Sequence, residues 1–140
     1  MTELKDKILA KLEGLQIASL ATITQDGKPW VRYVTVQADP DLTLYVATSP
    51  GSRKVAQVKA APEVHLTCGL ADPATMEAYL QIQGRAEVVD DQTTKNRVWR
   101  PEFEQYFPSA EDPNLVVVRI SPYRIEYQTM APHAPEVWEG

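Results

Sequence analysis

Arg32 stands in an alternating apolar run, Trp30-Val31-Arg32-Tyr33-Val34-Thr35-Val36. A second such run, Leu42 to Thr48, leads into Ser49-Pro50-Gly51-Ser52-Arg53-Lys54, just ahead of a helical pattern. A guanidinium in a strand, with an Arg-Lys pair in a helix's first turn, is a layout for holding a phosphate. Backbone N–H groups at a helix N-terminus point at an anion, and the helix dipole favours it. Guanidinium and ammonium groups add charge-assisted hydrogen bonds. Without an anion, cations in a first turn oppose the dipole at a cost of about 0.3–1 kcal/mol; a bound anion reverses the sign. The competing reading of Arg32 is an edge-strand cation, solvated or paired with a carboxylate, because buried charges are rare unless paired. For Ser52-Arg53-Lys54 it is a solvated helix start.

Other reactive residue types point to less. His65 and Cys68 are separated by two residues, but no second cysteine exists and His133 is remote in sequence, so no metal site is expected. Leu66, Thr67 and Leu70 place Cys68 in a buried strand, which argues against a nucleophile. The chain has no G-x-S-x-G, no G-x-G-x-x-G and no P-loop. Trp99, Phe103, Tyr106 and Phe107 are expected to form a satellite core around a helix, with ring-covering or subunit contact as the alternative.

The elements that must position the cations can be read from period and turn chemistry. Thr2 is expected to cap a first helix carrying Leu4, Ile8, Leu12 and Leu15, with Gly14 near its end. Ile17 to Thr24 reads as a strand. Asp26-Gly27 marks a tight hairpin, and the Trp30 run is its second arm. Ala38-Asp39-Pro40-Asp41 is a turn before the strand Leu42 to Thr48. Ser52 is expected to cap a helix through Ala60, ahead of Pro62. Strands follow at Val64 to Leu70 and Met76 to Val89, the latter with Gly84 as a bulge or close approach. Asp90 and Asp91 begin a helix running to about Arg100. Ser109 to Asn114 is a loop. Leu115 to Ile120 and Arg124 to Thr129 read as separate strands split near Pro122, and the segment after Met130 as an extended surface tail. Sequential strands with three or so short helices predict a mainly β fold, an antiparallel barrel with peripheral helices.

The 140 residues suit one domain, 1–140. A chain of that size buries roughly 70% of its unfolded surface. With 14 Lys and Arg against 19 Asp and Glu, the net charge of −5 argues against nucleic-acid or anionic-membrane binding. A single cysteine and an N-terminus that reads as helix, not signal peptide, predict a reducing, cytoplasmic setting. No apolar stretch is long enough to span a membrane as a helix.

Several segments in order resemble the FMN-binding split-barrel proteins related to pyridoxamine 5′-phosphate oxidase, most closely their short general-stress-protein type. They are Ser19-Leu20-Ala21-Thr22, Asp26-Gly27-Lys28-Pro29, Arg32 to Val36, Tyr45 to Thr48, Ser52-Arg53-Lys54, Ala61 to Val64 and Gln83-Gly84-Arg85-Ala86. The resemblance spans about Leu15 to Thr129. It implies a six-stranded antiparallel split β-barrel working as a homodimer, with FMN in a groove at the subunit interface. It places the phosphate on Arg32, Arg53 and Lys54, beside Ser52. It lays Arg32, Tyr33, Val34 and Thr35 along the ribityl chain and ring, with Ala47 and Thr48 nearby. Tyr79 falls near a position where the oxidases use Gln.

Departures narrow the reading. Gln37 replaces a Lys that contacts substrate phosphate in the oxidases, and the oxidases' Arg-Leu-His-Asp-Arg-like C-terminal motif has no counterpart. Gln128 follows Glu126-Tyr127 where short relatives commonly carry Trp, so that ring contact is lost or supplied by Trp138. The resemblance therefore implies an FMN-dependent oxidoreductase of a small molecule, with NAD(P)H as a candidate donor, rather than a true pyridoxamine phosphate oxidase. The alternatives are a deazaflavin-dependent reductase, a non-catalytic flavin-binding sensor or carrier, and a barrel without cofactor. The residues name no acid or base.

Overall fold

A computed structural model of the chain describes residues 2–70, 72–75, 77–130 and 134–140. The first hairpin shows how local chemistry builds the site. Gly27 takes φ +80°, a backbone region that Gly enters without steric penalty. The turn closes through Thr24 N to Lys28 O at 2.8 Å and Gly27 N to Thr24 O at 2.9 Å. It joins strand β1 (Gln16–Ile23) to β2 (Pro29–Ala38) and sets their register, Leu20 opposite Arg32 and Thr22 opposite Trp30. The period of two then turns Ala18, Leu20 and Thr22 inward, all essentially buried, and leaves Ile17 outside.

The remaining strands are β3 (Leu44–Thr48), β4 (Glu63–Cys68), β5 (Ala78–Val89), β6 (Val116–Thr129) and β7 (Glu136–Glu139). They form one sheet in the order β3-β2-β1-β4-β5-β6-β7, and β3 also pairs with β6. That extra pairing closes six antiparallel strands into a barrel and leaves β7 attached outside the ring. This is the expected split barrel, mostly β, with three α-helices: α1 (Thr2–Lys11), α2 (Arg53–Ala60) and α3 (Gln92–Val98). Leu20, Val36, Leu44, Leu66, Leu80, Ile82, Ile120 and Ile125 are fully buried inside, and Ile8 and Leu12 of α1 join the same core. Each such side chain contributes about 1.5–3 kcal/mol of burial free energy.

Gly84 is a close approach, as expected. A Cβ there would stand 2.8 Å from Ile120 Cγ2 and 3.1 Å from Ser121 O. The β5–β6 register shifts beside it, with Gly84 opposite Pro122. That shift absorbs the proline, so the two last strands expected on either side of Pro122 are one continuous β6.

Other boundaries also move. Thr2 is the first residue of α1, not a residue before it, and Leu15 lies beyond the helix. Leu42 takes φ +74°, which no strand residue adopts, so β3 starts at Leu44. Asp91 caps α3 by accepting from Thr94 N at 2.9 Å, and the helix ends at Val98, short of Arg100. Of the aromatic set, Phe103 is buried and meets Trp99 edge-on at 6.1 Å between centroids, whereas Tyr106 is 70% exposed and stands outside that packing. The segment after Met130 is not simply a tail: β7 pairs with the second half of β6, and Trp138 packs against the barrel core. The expected start of β5 at Met76, and His133, lie outside the described residues.

Candidate functional site

β2 carries Arg32 beside the start of α2. The guanidinium is half-buried, and its partners are all uncharged. Nη1 donates to Thr22 Oγ1 at 2.7 Å and to Leu20 O at 3.2 Å; Nη2 donates to Gln57 Oε1 at 3.1 Å. Thr22 in turn donates its hydroxyl to the same Gln57 oxygen. A guanidinium has five N–H donors. Three are committed here, which leaves Nε and one Nη2 hydrogen without a protein acceptor among the described residues.

The end of β3 and the first turn of α2 supply the rest. Ser52 occupies the N-cap position with extended backbone, φ −72° and ψ 151°, yet its side chain makes no capping hydrogen bond. Its hydroxyl instead accepts from Thr48 Oγ1 at 3.2 Å, and Lys54 Nζ donates to Thr48 Oγ1 at 3.0 Å. The expected side-chain cap is therefore diverted into a hydroxyl–ammonium chain facing Arg32. Arg53 lies over the Trp30 ring, 5.4 Å from its centroid, a cation–π contact that orients the guanidinium. The first N–H groups of α2 have no intrahelical acceptor to reach.

Electrostatics mark the cluster as short of negative charge. Among the described residues, Arg32, Arg53 and Lys54 take part in no ion pair. Burial, then the charge of Arg53, lowers the pKa of Arg32. Burial, then the charge of Arg32, lowers that of Lys54. Cations pressed together, partly desolvated and without a counter-ion, with donors to spare, can hold an anion bearing several oxygens. The donor set fits a phosphate, and the alternative of a carboxylate partner for Arg32 does not hold.

The other expected residues fall into two groups. Thr48 and Ser52 join the cluster. Val34 packs against the core, and Ala47 pairs opposite Val117 in the barrel wall. Tyr33 and Thr35 alternate onto the outer face of β2, where Tyr33 is 80% exposed. A cavity of about 740 Å³ lies over that face, lined by Ile17, Ser19, Tyr33, Thr67 and Tyr79 among others. Gln37 is buried, with its amide donating to Val98 O at 2.7 Å. Burial also raises the Cys68 thiol to about 11, which leaves it unreactive at neutral pH. Among the described residues no group of three His, Cys, Asp or Glu could hold a metal ion.

Thr22, Trp30 and Gln57 escaped the reading of the sequence. A signal existed for Gln57 and for Thr22. Gln57 is four residues after Arg53 and three after Lys54, hence on the same helix face. The Asp-Gly turn fixes the hairpin register that sets Thr22 diagonal to Arg32.

A family profile described as pyridoxamine 5′-phosphate oxidase matches residues 4–129. General stress protein 26 of Bacillus subtilis (strain 168) is 32% identical over 133 residues, 95% of this chain and 94% of that protein. The crystal structure of General Stress Protein 26 from Bacillus anthracis str. Sterne superposes with a TM-score of 0.84 at 30% identity, covering 98% of each chain. A solved structure named F420 reductase shares the fold, with a TM-score of 0.65 at 24% identity over 83% of this chain and 93% of its own. With a match across nearly its whole length, the chain belongs to the pyridoxamine 5′-phosphate oxidase family.

Proposed function

We propose that this protein is an FMN-binding flavoprotein that acts as an oxidoreductase on a small molecule. Split barrels of this family typically bind a flavin. The observation that carries the finer reading is the uncompensated cluster of Arg32, Arg53 and Lys54, whose donors suit a terminal phosphate dianion. Arg32, Arg53, Lys54 and Ser52 would hold the phosphate, and Tyr33, Val34, Thr35, Ala47 and Thr48 would lie along the remainder. When bound, the flavin supplies the electron-transfer chemistry at its ring N5, with NAD(P)H as the donor to test first. The chain's residues bind, orient and neutralise charge. Gln37 argues against a true pyridoxamine phosphate oxidase: its buried amide is committed to Val98 O and has no cation to offer a substrate phosphate.

The reading includes a homodimer. Ile17, Val31, Tyr33 and Leu70 are exposed at 69, 62, 80 and 43% on the outer side of the barrel wall. Large apolar groups gathered this way are expected to be covered by a partner, and a second copy would bring the cofactor groove to an interface. No helix among the described residues is long and apolar enough to cross a membrane. With one buried, unreactive cysteine, we assign the protein to the reducing cytoplasm.

Calorimetric titration tests the phosphate reading: FMN is expected to bind at least about tenfold tighter than riboflavin. Equal affinities would sink it. The absorbance of heat-released cofactor separates flavin from deazaflavin, and turnover with NAD(P)H and an acceptor separates enzyme from carrier. Sedimentation of dilute protein should show a dimer that FMN strengthens by mass action; a monomer binding FMN at full affinity would contradict the interface site.

A further inference from the structure

We infer that Gln57 is the specificity-determining residue of the phosphate site: an uncharged acceptor that holds Arg32 in position without neutralising it. The inference rests on the phosphate reading above and assigns a role to a side chain outside the proposed ligand set. Gln57 lies one turn into α2. Its Oε1 accepts from Arg32 Nη2 at 3.1 Å and from the Thr22 hydroxyl. Thr22 also accepts from Arg32 Nη1 at 2.7 Å and is wholly buried. The three side chains thus form a closed triangle. Because Arg can only donate, the triangle fixes the orientation of the Gln57 amide.

The choice of residue type is what calls for explanation. An acidic side chain at this position would grip a guanidinium more strongly, since a carboxylate accepts charge-assisted hydrogen bonds in parallel. Arginines elsewhere in this chain are held in that way, Arg97 by Asp39 and Arg124 by Glu126. Half-buried cations ordinarily acquire such partners. Here the surroundings supply two neutral side-chain oxygens and one carbonyl. Arg32 therefore keeps its full positive charge, within electrostatic reach of Arg53 and Lys54. Burial, then a neighbouring cation (Arg53 for Arg32, Arg32 for Lys54), depresses the pKa of both Arg32 and Lys54, as expected for cations whose counter-ion comes from outside the chain. Gln57 acts through Arg32 and is a positioning residue. Its neutrality sets the preference for a doubly charged phosphate over an uncharged flavin.

The test compares FMN and riboflavin affinities by calorimetry for the wild-type protein, Gln57→Glu and Gln57→Met, with thermal unfolding of each cofactor-free protein. Gln57→Glu keeps an acceptor for Arg32 and Thr22 but cancels one positive charge. It is expected to weaken FMN by about tenfold or more, to leave riboflavin within about threefold, and to melt at or above the wild-type temperature. Gln57→Met removes the acceptor and keeps the charge, so FMN should weaken by less than in Gln57→Glu. A purely structural role would lower both affinities and the melting temperature together. A Gln57→Glu protein with the wild-type ratio of FMN to riboflavin affinity would overturn the inference and leave the phosphate reading standing, and so would an equal fall in both affinities. If Gln57→Glu does not fold, a larger FMN loss in Gln57→Met than in Arg32→Ala would overturn it. A wild-type protein that does not distinguish FMN from riboflavin would remove the phosphate reading itself.

Discussion

Two sets of cations in this barrel are held by opposite means. Around α3, β4, β5 and β6, Arg97 meets Asp39 at 2.7 Å, Arg124 meets Glu126 at 2.7 Å, and Arg119 and Arg85 meet Glu87 and Glu63. At the β2–α2 corner, Arg32, Arg53 and Lys54 are held by hydroxyls, an amide, a carbonyl and an indole ring. The first set, lying within β6 or between neighbouring elements, satisfies its charge within the chain. The second keeps its charge available. We propose that the second set is left positive to serve a ligand, whereas the first takes carboxylates within the fold. The chain's overall charge of −5 hides this local reversal.

The sharpest way to break the comparison is to remove charge from each set. Arg53→Ala combined with Lys54→Ala should weaken FMN by about a hundredfold, since each charge-assisted hydrogen bond contributes about 1.5–3 kcal/mol. The cofactor-free protein should lose no stability, because two cations leave an unfavourable helix end. An unchanged dissociation constant in the folded variant would remove these residues from the site. Arg97→Ala should do the reverse. FMN affinity should hold while unfolding free energy falls by up to about 1 kcal/mol, a modest figure because the pair is partly exposed and screened. A large change in FMN affinity there would erase the distinction between the two sets.

The smallest expected effect is on pH dependence. Burial and Arg32 hold the Lys54 pKa below its ordinary 10.5. The folded, ligand-free protein therefore binds this proton less tightly than the unfolded chain. Its charge opposes folding at neutral pH, and that opposition fades as pH climbs through the lowered pKa toward 10.5. FMN affinity should move the other way, falling over the same alkaline window as the ammonium is lost. Denaturant titrations and calorimetry across that range test both signs, and Lys54→Met should flatten the Lys54 contribution to each.

Much of this arrangement was legible because it is local. Asp26-Gly27 encodes a turn that only a residue tolerant of positive φ completes. The alternation through Arg32 to Val36, and the Arg-Lys pair after Ser52, announce a strand and a cationic helix start within a few residues each. Gly84 was readable as a close approach because a glycine inside an otherwise β-favouring run needs a steric reason. Reading failed where a distant element decided the outcome. Pro122 suggested a break, but the register shift opposite Gly84 lets β6 run through. Ser52 had the right type and place to cap α2, but its hydroxyl is diverted to Thr48, which in turn accepts from Lys54. β7 was missed because four residues acquire strand geometry only from the free edge of β6.

The sequence by itself determined the barrel, its helices, the family and the identity of the cations, since alternation, turn residues and spacing act over short stretches of chain. Only the tertiary structure decided what holds those cations. Whether Arg32 meets a carboxylate or the neutral oxygens of Leu20, Thr22 and Gln57 depends on the register of β1 against β2 and on the rotation of α2 over both. No short stretch of sequence carries that information, because hydrogen bonds a few ångströms long are set by where whole elements pack.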